Sequence, residues 1–113
     1  QQLRTFAAQH AAGAAVVVLG DFNTPPDSEP HQQLTANAAD GFVLVDALRT
    51  VLGQADADAG TFHAFGKQRE GRRIDWILHS SALRAAAAGI DRTRDGALYP
   101  SDHDAVFATL RWR

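Results

Sequence analysis

Three carboxylates in this chain stand at the end of, or just inside, hydrophobic segments that read as strands. Asp21 follows the apolar run Ala14–Leu19, and Asp75 interrupts Arg73-Ile74-Asp75-Trp76-Ile77-Leu78. Asp102, with His103, precedes the alternating run that ends at Trp112. A carboxylate so close to a buried run costs free energy unless a metal, a cation or hydrogen bonds compensate it. One fold satisfies all three most simply by bringing the strand ends to a shared polar centre. Function is expected there.

The segments between these points read as a mixed α and β chain. Residues 1–12 hold helix formers, with Leu3, Phe6 and Ala7 at i, i+3, i+4 spacing and Gly13 placed to end the helix. Ala14–Leu19 is short, continuous and valine-rich, which predicts a strand buried on both faces. Thr24-Pro25-Pro26-Asp27 predicts a rigid turn, since proline fixes φ and supplies no N–H. Ser28 is expected to cap a short helix that holds Pro30 in its first turn and packs Leu34 inward. Phe42–Val45 is a second apolar run, Asp46–Leu52 a helical turn, and Gln54–Gly60 an exposed loop. Thr61–Phe65 alternates as a strand would, and Gly66–Gly71 reads as a hairpin connection. Arg72–His79 is the clearest strand, with Ile74, Trp76 and Leu78 on one face and Arg73, Asp75 and Ile77 on the other. Leu83–Arg94 has alanines that favour helix, but its place between strands favours a strand, the reading adopted here. Asp104–Trp112 predicts a last strand with Val106, Ala108 and Leu110 on one side.

Length and composition set outer bounds. The chain has 113 residues, room for one domain. Its net charge of −2 argues against a protein that coats nucleic acid through bulk positive charge. No apolar run approaches the ~20 residues of a membrane-spanning helix, and the compartment is left open. Without cysteine, any metal must take oxygen or imidazole ligands. There is no methionine, so Gln1 is not expected to be a native start.

Asp21 and Asn23 are two apart, so in an extended segment they share a face. The carboxylate can accept a proton, and the amide can donate to an anionic oxygen without adding charge. An Asx turn ahead of Pro25 explains the same pair structurally. Asp75 is expected either to pair with Arg73 or Arg72, or to fix the ring of a histidine, for which His103 is the candidate. Asp102 and His103 are adjacent, so their side chains should diverge. His10, His31, His63 and His79 have no acidic partner at useful spacing and are expected to be structural. Lys67, Arg69, Arg72 and Arg73 could grip a phosphate, but a solvated hairpin tip explains them better. Trp76 and Trp112 are expected in the core.

Taken together, these segments resemble the endonuclease/exonuclease/phosphatase superfamily, the metal-dependent phosphodiesterases related to DNase I. Val18-Leu19-Gly20-Asp21-Phe22-Asn23 is similar to the GDFN motif, and Arg73-Ile74-Asp75-Trp76-Ile77 to the RIDY/RIDW motif. Ser101-Asp102-His103-Asp104-Ala105-Val106 is similar to SDHxPV, with Ala105 where proline is usual. Gly60-Thr61-Phe62 fits the short strand before the second motif. The resemblance implies an α+β fold, the DNase I-like four-layer α/β/β/α sandwich. It implies that residues 1–113 form the C-terminal half, one mainly antiparallel sheet with flanking helices.

The resemblance also implies roles. Asp21 would orient or deprotonate the attacking water, and Asn23 would hold a phosphate oxygen. Asp75 would support His103, which would contact the scissile phosphate. Asp102, with Asp21, would join the shell of a Mg²⁺ or Mn²⁺ ion. The substrate would be a phosphate ester within nucleic acid, a phospholipid or a small molecule. The early asparagine, the metal-binding glutamate and the second histidine of the family have no counterpart, since Glu29 and Glu70 lie in expected surface turns. The chain is therefore expected to need an N-terminal half or to self-associate through the exposed inner sheet face. The alternative is an inert half-domain or interaction module.

Overall fold

The computed structural model describes residues 1–68 and 70–113. Arg69, one member of the basic hairpin cluster, lies outside the described residues. The described elements are helices α1 (Gln2–His10), α2 (Glu29–Thr35), α3 (Ala47–Leu52) and α4 (Gln54–Ala57). The strands are β1 (Val17–Asp21), β2 (Leu44–Asp46), β3 (Asp75–Ser80), β4 (Leu83–Asp91) and β5 (Ala105–Trp112). All pairing between them is antiparallel, divided between a β1-β3-β2 sheet and a β4-β5 ladder. The mixed α+β architecture with an antiparallel sheet is the one expected. Leu83–Asp91 is a strand, despite its alanines.

β3 organises the core because it is hydrophobic on both faces. Trp76 and Leu78 pack with Leu34 and Leu44, and Val18, Phe22 and Phe42 close around them. The opposite face offers Ile77 to Ala47, Leu48 and Ala57, backed by Val106, Ala108 and Leu110 of β5. The period-2 alternation of a strand produces this division. Phe22 stacks on Trp76 at 4.3 Å, and His31 meets the same indole edge-on at 4.8 Å. Trp76 is completely buried, and its truncation to alanine is worth about 3–5 kcal/mol by the usual large-to-small cost.

A second, polar core lies where β2 meets α3. Asp46 caps α3 by accepting from the Leu48 and Arg49 backbone N–H groups. Its carboxylate also takes the fully buried Arg73 guanidinium at 2.7 Å and His31 Nε2 at 3.1 Å. Because His31 Nδ1 accepts the Asp27 N–H, the ring proton sits on Nε2 and points at Asp46. Burial alone would raise the Asp46 carboxyl, but the bonds from His31 and Arg73 hold it below its usual value. Arg73 also donates to the carbonyl oxygens of Ala57 and Asp75.

Several local expectations are corrected. α1 buries Arg4 and Ala7, while Leu3 and Phe6 face outward, because Arg4 bonds bidentately to Asp40 and to the Phe42 carbonyl. The face of β1 that carries Val17, Leu19 and Asp21 is uncovered, so Val17 and Leu19 are exposed rather than buried on both faces. Ser28 occupies the N-cap position of α2, but its hydroxyl makes no capping bond. Gln54–Gly60 contains α4, which Gly53 sets off with φ +78°. Thr61–Phe65 contributes one bridge, Phe62 to His103, because left-handed Ala64 and Phe65 end the extended course. Trp112 is largely exposed at the end of β5.

Candidate active site

The β1–β3 register sets Asp21 directly opposite Asp75. Like charges facing each other across a ladder repel. His103, brought in by the bridge to Phe62, supplies the compensating group. Its Nδ1 donates to Asp75 Oδ2 at 2.8 Å, and its Nε2 lies 3.7 Å from Asp21 Oδ2. The imidazole thus stands between two carboxylates. Its pKa is raised above the ordinary value, chiefly by the bond to Asp75, and the Asp21 and Asp102 charges add to that.

Asp75 is positioned from two sides. Thr61 is fully buried, and its hydroxyl donates to Asp75 Oδ2 at 2.6 Å while accepting the Ile74 N–H. The Arg73 guanidinium bonds the Asp75 carbonyl, not its carboxylate. Of the two partners open to Asp75, the structure therefore selects the histidine. Arg73 instead pairs with Asp46, and Arg72 with Asp58.

Asn23 follows the turn geometry rather than the extended one. Its φ is 53°, a left-handed conformation that asparagine tolerates well, and its N–H donates to Asp21 Oδ1 at 2.9 Å. Its amide is exposed beside Asp21. Asp102 is half-buried, with the Ser101 hydroxyl 3.4 Å from its carboxylate.

Among the described residues, ligand-type atoms of Asp21, Asp75 and His103 lie within 4.8 Å of one another. Asp102 is not part of that set. Because Asp75 Oδ2 and His103 Nδ1 are bonded to each other, the outward-facing donor of the set is Asp21, 40% exposed. Carboxylate oxygens of this kind fit a hard divalent cation, whose six or more ligands would come partly from beyond this cluster.

The full role of Thr61 and the acidic partners of two histidines have no signature in the local sequence. His31 binds Asp46, and His63 Nε2 lies 3.3 Å from Asp104. Sequence distance hid these pairs, since each is made across elements. The Asx turn at Asn23 was among the readings of the local sequence, and the Thr61 hydroxyl was signalled only by Gly60-Thr61-Phe62.

Residues 1–103 match the Endonuclease/Exonuclease/phosphatase family, and the chain belongs to that family. No curated protein matches it. It is similar to the endonuclease/exonuclease/phosphatase from Bacteroides vulgatus, with 26% identity over 99% of this chain and a TM-score of 0.81. It shares its fold with a mannosyl-6-phosphatase of Bacteroides thetaiotaomicron, at 21% identity over 98% of this chain and a TM-score of 0.70. The chain spans 42% and 43% of those two solved chains, so it corresponds to part of their length.

Proposed function

We propose that the complete protein containing this chain is a metal-dependent hydrolase of phosphate esters, and that Asp21, Asn23, Asp75 and His103 carry its chemistry. The observation that supports this most is the His103 ring held between Asp75 and Asp21. Thr61 and Asp75 fix the Nδ1 side of the ring, which leaves Nε2 to donate to a phosphate oxygen. The raised pKa of His103 keeps that proton available. Asp21 orients water and accepts its proton as a new P–O bond forms and the bond to the leaving oxygen breaks. The Asn23 amide donates to a phosphate oxygen without adding repulsive charge.

Asp21 and Asp102 are the residues proposed to hold Mg²⁺ or Mn²⁺, which when bound would neutralise phosphate charge and make phosphorus more accessible to attack. The substrate is a phosphate ester, and the net charge of −2 weighs towards a small ester over a nucleic acid. The shared fold with a mannosyl-6-phosphatase agrees with that preference.

The test is turnover of p-nitrophenyl and bis-p-nitrophenyl phosphate by the full-length protein, with Mg²⁺ and with chelator. His103→Ala and Asp21→Ala are each expected to remove most turnover while circular dichroism stays native. Near wild-type rates in either variant would remove the proposed site.

A second reading, an inert half-domain or interaction module, draws on the α1–β1 edge. Leu3, Phe6, Val17 and Leu19 are exposed along it, and β1 pairs on one side only. On this reading the edge receives an N-terminal half of the fold or a second copy. Absence of turnover in the full-length protein with every metal tried would favour it.

A further inference from the structure

Beside the catalytic cluster lies a cleft of about 720 Å³, within the usual range for small-molecule sites. Phe62 belongs to both places. It lines the cleft, and its ring meets His103 edge-on at 5.2 Å. A group attached to a phosphate at His103 reaches the cleft past Phe62.

The aromatic surfaces of the cleft are already occupied. His63 packs on Tyr99 at 4.6 Å, and the Arg94 guanidinium lies 5.4 Å from the Tyr99 centroid. Gly66 is so close that a Cβ there would stand 2.7 Å from the Tyr99 hydroxyl. Among the described residues, the Tyr99 ring leaves no open slot to sandwich a flat base. The lining is polar and apolar in equal parts, and its charged groups are of both signs: Arg92 and Arg94 against Asp104 and Glu70. Arg92 bonds Asp104 and the Gly60 carbonyl through one nitrogen, and Arg94 bonds the Tyr99 hydroxyl through one nitrogen. Each guanidinium has five N–H groups, so each keeps donors for a ligand.

Among the described residues, two cations face two anions, which gives no reason to select a second charged group. An alkyl chain would displace water from these groups and return no hydrogen bonds. A hydroxyl both donates and accepts, so a ring with several hydroxyls answers donors and acceptors together. We propose that this cleft is the leaving-group subsite and that it takes an uncharged polyhydroxylated ring of sugar type, which makes the substrate a sugar phosphate. The proposal rests on the hydrolase reading above.

The test uses the full-length protein and two readouts. Methyl glucoside, mannoside and galactoside are offered without phosphate, and binding is read by saturation-transfer NMR. Turnover is read as the ratio of kcat/KM for hexose phosphates to that for phenyl phosphate. At least one methyl hexoside is expected to bind. Arg94→Ala, at an exposed position that tolerates truncation, is expected to weaken that binding about tenfold, as loss of a charged hydrogen bond does. It should lower the selectivity ratio by a similar factor, and Tyr99→Phe, which frees Arg94 while keeping the ring, should lower it in the same direction. Turnover of esters with no hexoside binding, or with an unchanged ratio, would overturn the subsite and leave the hydrolase reading intact. Hexoside binding lost in Arg94→Ala, in a protein that hydrolyses no phosphate ester, would support the subsite and overturn the hydrolase reading.

Discussion

The Thr61 hydroxyl donates to Asp75 Oδ2, the same oxygen that accepts His103 Nδ1–H. The Thr61 hydroxyl bonds Asp75 and the Ile74 N–H, so its effect on the ring runs through Asp75. Thr61→Val keeps the shape and removes the donor. It is expected to lower kcat about tenfold, roughly 1.4 kcal/mol of barrier, with KM little changed. Thr61→Ser should restore most of the rate. Equal rises in KM, or failure of serine to rescue, would assign Thr61 to packing alone.

The buried Asp46 carboxylate makes stability sensitive to acid. Its pKa is held below the ordinary 3.8, so its contribution is complete above that value and is lost as pH falls through the lower native pKa. Unfolding of the full-length protein, followed by tryptophan fluorescence, should therefore become easier below about pH 4. Asp46→Asn should flatten that limb and cost about 3 kcal/mol at neutral pH, since it leaves buried Arg73 only the longer 3.7 Å contact with Asp58 in place of its 2.7 Å carboxylate partner. An unchanged acid limb would mean that other carboxylates set it.

Gly66 has φ +83°, and a Cβ there would collide with the Tyr99 ring. Gly66→Ala is expected to destabilise by about 1–3 kcal/mol, through both the left-handed backbone and the overlap. Chemical denaturation measures it. A wild-type midpoint would show that Tyr99 moves aside without cost.

Leu19 is 67% exposed on edge strand β1. The 113-residue chain by itself is expected to associate through this edge, and Leu19→Lys is expected to shift sedimentation towards monomer. Identical profiles for the two would place any self-association elsewhere.

The legible parts of this fold were those with a local cause. The alternation around Trp76 gave β3 and both of its faces, and Val106, Ala108 and Leu110 pack on one side of β5 as expected. The pairing of His103 with Asp75 was anticipated across 28 residues because each sits in a motif of its own. Elsewhere the deciding partner was remote in sequence. Arg4 is drawn inward by Asp40 and Phe42, which turns the helix face that Leu3 and Phe6 would have claimed. His31 and His63 looked partnerless because Asp46 and Asp104 reach them only after folding. Ala64 and Phe65 adopt left-handed backbone where alternation reads as strand, and residue type gives no warning of that.

The two oxygens of Asp21 have separate duties. Oδ1 accepts the Asn23 N–H and shapes the loop, while Oδ2 faces His103. Removing the side chain therefore changes a backbone as well as a charge, and the two losses arrive together in any alanine variant. An amide at this position keeps an acceptor for the turn and discards the charge. Comparing the two substitutions would tell how much of the apparent chemistry of this carboxylate is architecture.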